Sequence, residues 1–258
     1  MRPADHTEVR QWLARHGLAD VEPTPLLAAR LAVRRRARLA DSALLAGFLI
    51  GAALTHALRL TYATSFWLPL LALTALVIGV LAAQWLLGWW VRRVDQRAGG
   101  HLSRRVAHPV QLGWPAVLSL PYAVFTVATF TSAALLAVSV LPVSDSSLRY
   151  GAAVVLIGLA GTGVGTVMQL RQVLASPAVA EDEASLTADV IMRVEDARAL
   201  VTPSLTWSLP AIFLYGESLG WWNAVSLLLV VAGVSAFCLI QTRSPGAGAA
   251  ARQAMAVR

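Results

Sequence analysis

The sequence predicts an all-α fold: a polytopic membrane helical bundle of six transmembrane helices. Cytoplasmic amphipathic helices are expected at its N-terminus and between spans four and five. Three observations carry that prediction. Long apolar runs recur at Asp41–Leu60, Phe66–Trp90, Leu118–Leu141, Tyr150–Met168, Ser204–Tyr215 and Trp221–Ile240. The chain is 57% hydrophobic and 14% charged, with mean hydropathy +0.63, which is too little charge to cover a water-soluble protein of 258 residues. All 21 basic residues are arginine, and all but Arg59 and Arg149 fall in the N-terminal segment, the connections after the second and fourth runs, or the tail. The positive-inside rule then assigns those segments, and both termini, to the cytoplasm of a cell membrane.

Taken in chain order, Thr7–His16 is a short amphipathic helix with Val9, Trp12, Leu13 and His16 on one face and Gly17 to stop it. Thr24-Pro25 supplies an N-cap and a proline at the first helical position. No breaker follows, so one helix is expected from Pro25 to Leu60. Its first half carries Arg30, Arg34, Arg35, Arg36 and Arg38, which either meet anionic headgroups or act only as a topology signal. A span needs about 20 apolar residues, which the first, second, fourth and sixth runs supply. The third is long enough without Pro109–Val117, which is expected to lie along the interface with Trp114-Pro115 at the point of insertion.

The fifth run is short, is bounded by Pro203 and contains Pro210, so it either crosses in a kinked form or re-enters. Arg243, Arg252 and Arg258 favour crossing, because otherwise the arginine-bearing tail would be external. Aromatic residues agree: Phe66-Trp67, Tyr150 and Trp221-Trp222 mark the outer interface, Trp89-Trp90 and Trp114 the inner one. The resulting division is a basic cytoplasmic segment (1–40), transmembrane helices one to four (41–169), an acidic connector (170–202), the last two spans (203–241) and a flexible cytoplasmic tail (242–258).

The connector holds Glu181, Asp182, Glu183, Asp189, Glu195 and Asp196. Ser176-Pro177 breaks the preceding helix, and Leu186, Val190, Ile191 and Val194 then recur at helical spacing. This predicts an amphipathic helix with an acidic outer face, whose apolar stripe packs on the bundle ends, the N-terminal helix or a partner. Asp189, Glu195 and Asp196 fall on one face, where solvated surface is the expected role.

Composition and motifs narrow the function. The net charge of +7 follows from the topology, so no nucleic-acid partner is expected. A single cysteine, Cys238, builds no disulfide framework or metal site and is read as a small buried hydrophobe. The polar N-terminal segment has no signal-peptide core. No HExxH pair, Gly-x-Ser-x-Gly elbow or zinc-ligand set accompanies His101 and His108, so no enzyme, metal or cofactor is expected. No carboxylate lies at mid-depth, against a proton- or sodium-coupled carrier.

Gly158, Gly161 and Gly165 lie inside an apolar run, where small residues pack helices closely, within the bundle or across a dimer. The hydroxyl rows Thr126, Thr129, Ser132 and Thr162, Thr166 either line a polar path or bond their own backbone.

The all-arginine basicity and the connector Ala178–Leu200 (AVAEDEASLTADVIMRVEDARAL) are similar to those of uncharacterised multi-pass membrane proteins common in high-GC actinobacteria. That resemblance implies a multi-pass fold and transfers no activity. The expectation is a non-enzymatic transport or membrane-stress component, with the lipid bilayer and a second copy or a cytosolic protein as partners. One alternative is the permease subunit of an ABC-type exporter, meeting a separate ATPase through Arg104 and Arg105. Another is a sensor or scaffold that docks a cytosolic partner through Glu181, Asp182, Glu183, Glu195 and Asp196.

Overall fold

The computed structural model describes residues 3–61, 67–100, 113–176, 183–201, 209 and 221–256. Among these residues the chain is helical, with no strand. The helices are α1 (Pro3–Arg15), α2 (Pro25–Thr61), α3 (Trp67–Gly100), α4 (Trp114–Leu118), α5 (Leu120–Val140), α6 (Ser146–Ala175), α7 (Glu183–Leu200), α8 (Trp221–Arg243) and α9 (Ala247–Ala256). Five of them, α2, α3, α5, α6 and α8, are long and apolar enough to cross a membrane. The fifth apolar run, Ser204–Tyr215, lies outside the described residues except for Leu209.

Local chemistry sets the helix ends. The Leu27 amide donates to Thr24 Oγ1 at 3.2 Å, capping α2 at the predicted place. From there α2 runs unbroken to Thr61. Gly17 adopts φ +74°, where a side chain would be strained, and ends the first helical segment. α6 stops at Ala175, immediately before Ser176-Pro177. Ser119, at φ +61°, turns the chain from α4 into α5.

Two apolar cores result. In the bundle, Phe48 of α2, Val77 of α3, Ala137 and Val140 of α5 and Val155 of α6 are fully buried, with Leu209 among them. At one end, α1, the start of α2, α4, α7 and α9 enclose a second core around Leu13, Val117, Ile191, Val194 and Ala251. We call this end the cap. The apolar face read in α1 is the face that packs there: Val9, Trp12 and Leu13 are buried against the start of α2 and α7.

Several expectations are corrected. α7 is not a helix with an acidic outer face: Ala188 to Val194 are buried without interruption, Asp189 and Arg193 included. The helix is the centre of the cap, surrounded by α1, α2, α4 and α9, so no single face of it is wet. The tail, read as flexible, is helical over most of its described part. Ala247–Ala256 forms α9, because alanine favours helix and small side chains let the backbone approach α7 and the end of α1 closely. Arg252 Nη1 donates to the His16 carbonyl at 2.9 Å, and Arg198 Nη1 donates to that of Pro245 at 2.9 Å.

The segment read as interfacial is, in its described part, the short helix α4, whose Val117 and Leu118 are buried in the cap core. Cys238 is exposed on α8 rather than buried. Gly158 and Gly161 do admit neighbours: a side chain there would meet Leu209 and Leu81, each at 2.8 Å. Gly165 faces open space and packs against nothing within 4 Å. Thr126, Thr129 and Thr162 bond carbonyls one turn back, as the backbone reading of the hydroxyl rows expects.

α9 packs closely against the end of α1. A Cβ on Gly248 would lie 3.0 Å from the His16 carbonyl oxygen, a backbone atom that cannot yield. Gly248→Leu is therefore expected to detach α9 and raise trypsin cleavage at Arg252 at least about tenfold, the result of losing roughly 1.4 kcal/mol of docking. Equal cleavage rates in the two proteins would show that α9 is not held there.

Candidate functional site

The cap is fastened to the bundle by a cluster of paired charges on α2, α3 and α7. Arg30 and Arg34 lie one turn apart on the same face of α2 as Leu27 and Leu31, so packing that stripe carries both guanidinium groups inward. Arg30 Nε donates to Asp95 Oδ1 at 2.9 Å and its Nη2 donates to Asp189 Oδ1 at 2.6 Å. Arg34 makes two forks. Its Nη1 and Nη2 donate to the two oxygens of Asp95 at 3.1 and 2.6 Å, and its Nε and Nη2 donate to those of Asp196 at 3.0 and 2.8 Å. Arg193 Nε completes the set, donating to Asp189 Oδ2 at 2.8 Å. Three cations thus neutralise three carboxylates, and Arg30, Arg34, Asp189 and Arg193 are all buried. Paired planar groups of this kind are what make buried charge tolerable.

A second polar contact joins α7 to the end of α1. His16 Nε2 lies 3.1 Å from Glu195 Oε1, its Nδ1 lies 2.7 Å from the Trp12 carbonyl, and Trp12 Nε1 donates to Glu195 Oε2 at 3.4 Å. Both ring nitrogens of His16 therefore face acceptors, which only the doubly protonated imidazolium satisfies. Burial works against that charge, but the hydrogen bonds to Glu195 and the Trp12 carbonyl outweigh it and raise the His16 pKa above 6.5. Burial likewise opposes the Glu195 charge, while the His16 hydrogen bond and charge win and hold its pKa below 4.5.

Beneath the clasp lies a cavity of about 1400 Å³ between α2, α3, α6 and the cap. The clasp residues Arg30, Arg34, Asp95 and Asp189 line its charged end. Its walls are mostly apolar, with Leu45, Ile78, Leu81, Trp85, Val164 and Met168, and also carry Thr162, Thr166 and Gln169. Along α3 the lining from Ile78 to Arg92 extends about 21 Å at 1.5 Å per residue. Ile78, Trp85, Val164 and Met168 line it and are about half exposed, so the cavity is open along α3 and α6 rather than enclosed. Within it, Gln84 Nε2 donates to Asp41 Oδ1 at 2.9 Å. Arg38 and Arg92 line the cavity and make no ion pair among the described residues.

The predicted docking acids separate into two groups. Glu183 is exposed at the start of α7, and Glu181 and Asp182 lie outside the described residues, as do Arg104 and Arg105. Glu195 and Asp196 turn inward and are paired with His16 and Arg34, which corrects their reading as solvated surface together with Asp189. The arginines of α2 follow neither sequence reading at Arg30 and Arg34, whose partners are carboxylates of the chain itself. Arg35 pairs with Glu8 at the surface. Of the packing glycines, Gly161 and Gly165 line the cavity. Sequence reasoning missed Asp95, Gly88 and Arg92. The available signal was the placement of Arg30 and Arg34 within an apolar stripe, which demands buried acids somewhere else in the chain. Among the described residues no group of three His, Cys, Asp or Glu side chains is arranged to hold a metal. Comparison with protein-family models, curated proteins and solved structures finds no match to this chain.

Two predictions follow from these contacts. Asp189→Ala leaves Arg30 and Arg193 buried beside a missing partner and is expected to cost about 3–5 kcal/mol, read as a lowered unfolding midpoint in denaturant; an unchanged midpoint would show the clasp to be dispensable. The His16–Glu195 contact should be pH-dependent in both directions. The raised His16 pKa contributes stability that is complete below 6.5 and is lost as pH rises through the folded value. The lowered Glu195 pKa contributes stability that is present above 4.5 and is lost as pH falls through its folded value. Amide protection of α1 should therefore peak between pH 4.5 and 6.5. Glu195→Gln should flatten the alkaline limb, and a wild-type profile without that limb would refute the assignment.

Proposed function

We propose that the chain is a non-enzymatic membrane protein that crosses the bilayer six times, keeps both termini in the cytoplasm, and takes a solute into the cavity at that face as a transport component. The cavity carries this reading. Protein interiors pack to a density near 0.75, so a bundle built only for stability would close a volume of about 1400 Å³. The space exceeds the roughly 300–1,000 Å³ of small-molecule pockets and reaches about 21 Å into a hydrocarbon core of about 30 Å. Its arginines (Arg30, Arg34, Arg38, Arg92, Arg193 and Arg198) gather towards the cap, which suits a vestibule open to water on one side.

Six crossings are supported by parity. α1 and α9 touch, so the chain enters and leaves the bundle at one face. Four spans precede α7, which sits at that face, and α8 runs back towards it. An even number of crossings is needed, and the fifth apolar run is the stretch of sequence that supplies it. The arginines favour the cytoplasmic side for that face.

The test uses the full chain with Cys238→Ser, in phosphatidylcholine nanodiscs, carrying Gly165→Cys in the cavity or Val124→Cys on the exposed outer face of α5. A membrane-impermeant maleimide is expected to modify Gly165→Cys and to leave Val124→Cys unmodified. Failure to modify Gly165→Cys would overturn the reading, since a solute vestibule has to admit water.

A further inference from the structure

We propose that the cavity is a binding site for an anionic phospholipid, whose phosphate is held over Gly88 by Arg92 and Gln169 and whose acyl chain lies along Leu81, Trp85 and Val164. The inference rests on reading the cavity as a solute site, and it names the occupant.

The first observation is a pair of donors. Arg92 Nη1 and Gln169 Nε2 each lie 3.2 Å from the point that a Gly88 Cβ would occupy. Neither group donates a hydrogen bond among the described residues. Because Gly88 has no side chain, the guanidinium and the carboxamide both close on the α3 backbone there and stand beside each other in the cavity lining. An acidic oxygen on the cavity side of the pair would accept one charge-assisted and one neutral hydrogen bond.

The second observation is the charge left over. The clasp is internally neutral, Glu195 is paired with His16, and Asp41 is held by Gln84. Arg92 remains without a carboxylate among the described residues, and Arg38, whose charge reaches Glu195, adds a second cation to an acid that His16 already balances. Asp41 bonds Gln84 and Arg34 bonds Asp95 across the α2–α3 pair, so Arg38 is level with the turn from Gly88 to Arg92. Two cations at one level favour a ligand with net negative charge.

The third observation is the wall. A small hydrophilic anion would satisfy the arginines and leave the apolar lining unfilled, and an uncharged lipid would do the reverse. The lining at Ile78, Trp85, Val164 and Met168 is open along α3 and α6, two of the helices long and apolar enough to cross a membrane, at the depth where acyl chains lie. The apolar run of α3 ends at Val91, so Arg92 stands at headgroup level with Trp89 one turn before it. A phospholipid entering from the side brings its phosphate to that level and its chain towards mid-depth.

The experiment extends the cysteine assay. Gly165→Cys in the Cys238→Ser background is placed in nanodiscs of phosphatidylcholine alone, of phosphatidylcholine with phosphatidylglycerol, or of phosphatidylcholine with inorganic phosphate in the buffer. The trimethylammonium group of phosphatidylcholine would face Arg38, so that lipid should leave the cysteine reactive. Phosphatidylglycerol is expected to slow maleimide modification roughly tenfold, about the value of one charge-assisted hydrogen bond. Arg92→Gln should abolish the protection, and since Arg92 has no acid partner its loss orphans no carboxylate. Gly88→Val, which displaces the two donors from the α3 backbone and keeps the arginine, should abolish it as well. Protection that survives both substitutions, or no protection by phosphatidylglycerol, overturns the proposal. Equal protection by inorganic phosphate overturns the lipid and leaves an anion site. An unreactive Gly165→Cys in phosphatidylcholine overturns the solute cavity itself and this proposal with it, whereas a reactive one that phosphatidylglycerol leaves unchanged overturns the lipid alone.

Discussion

The clasp of Arg30 and Arg34 on Asp95, Asp189 and Asp196 is the interaction on which the architecture depends. A long helix, α2, belongs to both cores: its first turns lie in the cap and its later turns in the bundle. The clasp sits where those halves meet and joins α2 to α3 on one side and to α7 on the other. Burying Arg30, Arg34, Asp189 and Arg193, with Asp95 and Asp196 partly buried beside them, would ordinarily cost more than their attraction returns, because each loses hydration. Here the forked geometry gives every carboxylate at least two N–H donors or a planar fork, and the cluster is neutral as a whole. An apolar replacement of similar volume would bind as well but would not fix the rotation of α7 about its own axis. Directional pairs at Asp189 and Asp196, two turns apart, fix that rotation.

The clasp also explains why a cavity can persist next to it. The charged groups hold α2, α3 and α7 at set distances, and the side chains below them, Gly161, Gly165 and Gly88 among the lining, are too small to fill the gap. In a core without such pins, helices would shift to close the space, since unfilled volume forfeits dispersion contacts. The polar pins sit at the end of the cavity and the apolar walls run away from them. This gives the space its amphiphilic character: cations at the mouth, aliphatic and indole surface behind. The cap, with the end of α1 against α9, covers the same end, and the His16–Glu195 contact ties α1 to α7 there.

The arginine excess of the chain is therefore divided between roles. Arg30, Arg34 and Arg193 are structural, Arg252 and Arg198 tie the C-terminal segment to the cap, Arg93 stacks over Trp89 at 4.7 Å, and Arg38 and Arg92 face the cavity. One compositional feature, read as a topology signal, also supplies the buried ion pairs and the ties between the C-terminal segment and the cap. Positive-inside bias places arginines on one face of a bundle, and once there they are available for any carboxylate that the fold brings near.

The sequence by itself determined what depends on neighbouring residues. The Thr24 cap, the unbroken α2 from Pro25, the stop at Gly17, the break before Pro177 and five of the apolar runs all follow from local propensity, proline and glycine geometry, and the length of apolar stretch. The apolar face of α1 was legible for the same reason. What only the tertiary structure decided is which groups meet across long stretches of chain. Arg30 and Asp189 are 159 residues apart in sequence, and Arg34 and Asp196 are 162 apart. No local pattern encodes such a pairing. The acids of α7 looked like a solvated face because acids usually are, and the tail looked flexible because alanine and glycine pack only when a surface is waiting for them. Arg92 and Gln169 were invisible as a pair because their convergence depends on what Gly88 lacks. Helix ends and spans are set by free energies summed along the chain, whereas burial and charge pairing are set by which distant surfaces come to face each other.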